Sequence, residues 1–146
     1  MIHLELALRE RLVEAARQAY PLEAGGFLLG QQRGEDYFLQ AQIPGQGPLS
    51  PTGYLLSAEE LLAAEATART WGLLVLGFYH SHPEGPAWPS SVDHDDALPG
   101  YLYAIVAPGS EEGSAALAFF GLDETSGLLT IEPFIVQSSD CLDKRS

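Results

Sequence analysis

"GFYHSHPEGPAWPSSVDHDD", residues 77–96, gathers three of the chain's four histidines, three aspartates, two adjacent serines and three prolines into twenty residues. The apolar run before it, "LLVLGFYH", is too short and too rich in aromatic and β-branched residues for a helix of its own and reads as a buried strand from Leu73 to His80. His80 and His82 are separated by one residue, and on an extended chain such a pair shares a face. Two imidazoles can therefore approach one ion. Asp93 can return as a third ligand if the segment "PEGPAWPSS" folds back in a tight turn, and Pro83, Pro86 and Pro89 limit the entropy lost in that convergence. Two histidines and a carboxylate leave a tetrahedral zinc with its fourth position open, which is the arrangement of a catalytic site rather than a closed structural one.

A water in that position needs a base to take its proton and pass it to a leaving group. Glu84 lies within the cluster but directly follows the ligand turn and is expected to face solvent. Glu23, in "YPLEAGGFLLG", opens an apolar strand, where a carboxylate is harder to explain as a solvated charge, and is the better candidate. His94, Asp95 and Asp96 follow the third ligand either as its partners or as the solvated start of a short helix. Tyr79 and Trp88 flank the cluster as groove-lining or packing residues.

Outward from the cluster the chain alternates helix and strand signals. A short strand at 2–5 precedes an amphipathic helix carried by Leu6, Leu12, Ala15, Ala16 and Ala19, which stops before Pro21. Gly26–Gly30 and Tyr37–Ile43 form a hairpin, and "PGQGPLSPTGY" is a loop. Ser57 with Glu60 makes a capping box that opens a second helix, which Gly72 can close. After the cluster, "YLYAIVAPG", "SAALAFFGLD" and "LLTIEPFIVQ" read as three strands. The order points to a mixed sheet, largely antiparallel in part, wrapped by two or three helices.

The chain has 146 residues, enough for one domain that buries roughly two-thirds of its unfolded surface. Its net charge of −13, from 20 acidic against 7 basic residues, disfavours nucleic acid and anionic membrane surfaces as partners. The single cysteine, Cys141 in the polar tail, excludes a disulfide framework and a thiolate metal site, and without an ordered histidine nearby it lacks activation as a nucleophile. No apolar run approaches the roughly 18 residues of a membrane span, and the N-terminus carries charges unlike a signal peptide. A soluble, cytoplasmic protein is expected.

The stretch "HSHPEGPAWPSSVD" resembles the signature of the JAMM (MPN+) zinc metalloprotease family: His-x-His-Pro, six residues, Ser, two residues, Asp. "YPLEAGGFLLG" is similar to the family's segment carrying the catalytic glutamate, and the resemblance extends over roughly residues 5–107. It implies an α/β fold of the cytidine-deaminase-like MPN type, a mixed, curved sheet flanked by two long helices and one short helix, in a single domain over 1–137 with a polar tail at 138–146. It further implies His80, His82 and Asp93 as ligands of one Zn2+, Glu23 as general acid/base, and Ser90 as hydrogen-bond donor to the oxyanion. Ser91, off the family spacing, would instead cap the turn. The implied activity is hydrolysis of the peptide or isopeptide bond after the Gly-Gly tail of a ubiquitin-like or sulfur-carrier protein. A non-catalytic MPN scaffold and a zinc hydrolase of a small amide are the alternatives. The chain departs from many bacterial relatives in having Gly25 two residues after Glu23, where a cysteine is common. It is similar to the compact prokaryotic type, with no room for the insertions of the eukaryotic deubiquitinases.

Overall fold

The computed structural model describes residues 1–45, 57–109 and 115–138. Its elements are β1 (Ile2–Glu5), α1 (Leu6–Ala19), β2 (Gly25–Arg33), β3 (Asp36–Pro44), α2 (Ala58–Thr70), β4 (Leu74–Ser81), α3 (Ser91–Asp96), β5 (Leu102–Ala107), β6 (Ala116–Asp123), β7 (Leu128–Glu132) and β8 (Phe134–Gln137). The loop expected at 44–54 falls mostly outside the described residues, as does Cys141.

Among the described residues eight strands join one mixed sheet in the order β7-β6-β5-β4-β2-β3-β1-β8. β1 runs parallel to β3 and β8, and β4 parallel to β5, while the other neighbours are antiparallel. The segment "LLTIEPFIVQ" is two strands rather than the one expected, and they lie on opposite edges of the sheet. Pro133 is the reason, since it has no N–H to give to a ladder and fixes its own φ. With one residue between the strands, the Cα atoms of Glu132 and Phe134 lie within about 7 Å of each other, so the sheet must curl until its two edges meet at that corner.

One side of α1 packs against the curled sheet. Leu8, Leu12, Val13 and Ala16 pack into the concave face with Ile2, Leu4, Leu28, Leu39, Tyr79, Ala104, Val106 and Phe119. The helix expected from Leu6, Leu12, Ala15, Ala16 and Ala19 is present, but its buried stripe runs through Leu8 and Val13, and Leu6 is exposed. That column is the one facing the sheet in a helix that starts directly from β1. On the opposite face Ala64 and Ala68 of α2 pack against Phe27, Leu29 and Phe78. Small residues there let the helix lie close to the strands.

Helix α2 begins with the expected capping box between Ser57 and Glu60. It closes at Gly72, whose φ is +72°, with the Gly72 and Leu73 amides donating to the Arg69 and Ala68 carbonyls. Among the described residues no helix is long and apolar enough to cross a membrane.

Candidate metal centre and active site

Strand β4 delivers the histidines. Phe78 and His80 alternate onto one face, and Tyr79 and Ser81 point to the other. His80 and Ser81 are both buried. The His82 amide still donates to the Val106 carbonyl at 2.9 Å, so β4 stays attached to β5 one residue past its end. The chain then turns through Gly85, at φ +67°, into α3 and returns in the crossover between these two parallel strands. The site thus lies at the carboxyl end of a parallel strand pair, where crossover connections leave a crevice.

Asp93 arrives by helix capping. Ser90 is the N-cap of α3, its hydroxyl accepting the Asp93 amide at 3.1 Å, while the Ser90 amide donates to Asp93 Oδ2 at 2.8 Å. Ser91, expected to cap the turn, is instead the first helical residue, and the cap is Ser90. The reciprocal bonds explain the two-residue gap between Ser90 and Asp93: the N3 position places the carboxylate back over the cap.

The donors converge. His80 Nε2 and His82 Nε2 are 3.1 Å apart, His80 Nε2 lies 3.1 Å from Asp93 Oδ1, and His82 Nε2 lies 3.2 Å from Asp93 Oδ2. His82 Nδ1 lies 3.0 Å from the Pro86 carbonyl, which accepts its proton. In the neutral ring Nε2 is then a bare lone pair facing another imidazole nitrogen and a carboxylate oxygen. Such a set is completed only by a proton or a cation. Tetrahedral donors at roughly 2.0–2.1 Å from zinc sit about 3.3 Å from one another, so the separations fit that ion. Burial would raise the Asp93 carboxyl, but hydrogen bonds from His80 and His82 outweigh it and hold it well below the usual range. The same contact raises His82.

Glu23 comes from the residues before β2. Because β2 and β4 are antiparallel and Gly25 pairs with His80, the start of one strand lies beside the end of the other. Glu23, His80 and His82 each offer a ligand atom within 4.8 Å of the others. Glu23 is half-buried, and that desolvation pushes its carboxyl above the ordinary value against the pull of the two histidines. A carboxyl whose proton affinity is raised beside the imidazole pair suits a role in proton transfer.

The remaining candidates lie apart from this set. Glu84 is exposed and accepts the Tyr20 hydroxyl at 2.7 Å. His94 Nδ1 accepts the Leu129 amide at 2.9 Å, so it ties α3 to β7. Asp95 and Asp96 are exposed. Tyr79 is buried and donates to Gln42, a packing residue, while Trp88 sets its edge against Phe120 and remains half-exposed. Gly25 is the β2 residue paired with His80. The reading of the sequence passed over Ser81, although its place between the two histidines puts it on the face opposite them.

The family described as prokaryotic homologs of the JAB domain matches residues 5–119. A desampylase of Haloferax volcanii is 30% identical over 105 residues, covering 68% of this chain and 76% of that protein. A probable TtuB-protein conjugate cleaving protease of Thermus thermophilus is 36% identical over 98 residues, covering 67% of this chain and 64% of the relative, just under two-thirds of its length. A solution structure of a protein from Desulfitobacterium hafniense superposes with a TM-score of 0.81 at 30% identity, covering 95% of this chain and 94% of the other. One from Salinibacter ruber gives 0.70 at 33% identity, with 96% and 94% covered.

Proposed function

We propose, from the premise that the chain belongs to the family of prokaryotic homologs of the JAB domain, that it is a zinc-dependent isopeptidase. It hydrolyses the bond between the Gly-Gly tail of a ubiquitin-like or sulfur-carrier protein and the amine it modifies. The observation that carries this reading is the convergence of His80, His82 and Asp93 at 3.1–3.2 Å, with the half-buried Glu23 beside the imidazole pair. The names of the two curated relatives point to the same substrate class.

His80, His82 and Asp93 would hold one Zn2+ per chain. When bound, it supplies Lewis acidity and makes water acidic enough to ionise near neutral pH. Glu23 takes a proton from the attacking water as its oxygen bonds to the carbonyl carbon. Burial has already raised the affinity of that carboxylate for the proton. Ser90 accepts the Asp93 amide through its oxygen, and its own O–H remains free to donate to the oxygen that becomes negative. As the C–N bond breaks, Glu23 returns the proton to the leaving amine. The carboxylate is thereby regenerated.

The test is cleavage of a linear fusion and a lysine-linked conjugate of a small Gly-Gly-ending protein. Wild type is compared with Glu23→Gln and with protein stripped by chelator and then resupplied with zinc. The expected result is cleavage by wild type, loss in Glu23→Gln with zinc still bound, and loss on chelation that zinc reverses. One zinc bound with neither bond cleaved would overturn the reading.

A further inference from the structure

We propose that Ser81 is a positioning residue that holds the Glu23 segment against the imidazole pair, an assignment that rests on the isopeptidase reading of the site. Ser81 is only 1% exposed, and its side chain leaves β4 on the face opposite His80, so it is not a ligand itself. Its amide and its hydroxyl oxygen both bond to one residue. The Ser81 amide donates to the Ala24 carbonyl at 2.9 Å, and the Ala24 amide donates to Ser81 Oγ at 2.8 Å.

These two bonds lie where the ladder ends. Gly25 pairs with His80 as the last regular step between β2 and β4. One step further, the Ala24 amide bonds to the Ser81 hydroxyl. The ladder is extended to the residue adjoining Glu23 while the main chain after Ser81 is released to turn into the cluster loop. Glu23 follows a helix end and Pro21, where the strand pairing of β2 has not yet begun. The hydroxyl therefore couples the base directly to the residue between the two histidines. Without it the half-buried Ala24 amide loses its partner, and the segment can move away from the site.

The experiment uses the full chain loaded with zinc and the variants Ser81→Ala and Ser81→Thr, each alone and combined with Glu23→Gln. Ser81→Ala is expected to lower kcat about 10–100-fold, the effect of misplacing a reacting group by an ångström or less, with KM and zinc content unchanged. Ser81→Thr, which keeps the hydroxyl, should recover most of the loss. In the Glu23→Gln background Ser81→Ala should add nothing, because the two changes act through one group. Amide exchange at Ala24 should accelerate in Ser81→Ala while Leu28, in the middle of β2, keeps its protection. Unchanged exchange at Ala24 would overturn the assignment, as would an equal loss of kcat with Glu23→Gln already present. If zinc-loaded wild type cleaves nothing, the isopeptidase reading fails by itself, and the exchange measurement still decides whether Ser81 holds this segment.

Discussion

A Cβ on Gly26 would stand 2.2 Å from the Ile43 carbonyl oxygen and 2.8 Å from the Tyr79 ring. Gly26 sits three residues after Glu23, where β2 is held between β3 and β4, and Tyr79 lies across it with its hydroxyl on Gln42. Gly26→Ala should cost about 1–3 kcal/mol through overpacking. A lower urea midpoint at unchanged slope is the expected reading, and an unchanged midpoint would contradict the close approach. Such a role is invisible in the sequence, because "EAGGF" does not say which side chain crosses which glycine. His80, His82 and Asp93 were legible there because their spacing is local. Ser81 was not, since its partner Ala24 is distant along the chain.

At the scale of elements, two capping boxes of the same chemistry serve different ends. Ser57 starts α2 and holds none of the candidate ligands, and Ser57→Ala should lower stability by about 1 kcal/mol and leave kcat alone. Ser90 starts α3 and holds Asp93 through its backbone and side chain. Ser90→Ala should cost a similar stability but also lower kcat by roughly 10²–10³, the loss of one oxyanion donor. Paired melting curves and rate measurements separate the two effects, and equal kcat in Ser90→Ala and wild type would remove the catalytic role. Most elements were readable from local pattern: the Ser57 box, the Gly72 stop and the hairpin follow from residues a few positions apart. The stripe of α1 was misplaced because its phase is set by the sheet it meets. β7 and β8 were merged because both are apolar, and that Pro133 divides them between two edges shows only in their pairing.

For the whole molecule, the proposed ligands His80, His82 and Asp93 join the end of β4 to α3, and a bound cation would tie the crossover loop to the sheet. A ligand that binds only the folded state stabilises it by mass action, about 2.7 kcal/mol at a free concentration a hundredfold above its dissociation constant. For a domain of this size that raises the melting temperature by roughly 10 °C. Zinc should produce such a shift in wild type, a chelator should reverse it, and His82→Ala should abolish it. A melting temperature indifferent to zinc would deny the site its cation. The amino-acid sequence by itself determined the candidate cluster, the order of most elements and the family resemblance, since each rests on spacings of a few residues that the backbone converts directly into shared faces and caps. The tertiary structure alone decided that Glu23 lies beside His80, that Ser81 binds Ala24, and that Pro133 sends neighbouring strands to opposite edges of a curled sheet. Those depend on which strands pair, and pairing is settled by burying one side of α1 against the sheet rather than by any local preference of the chain.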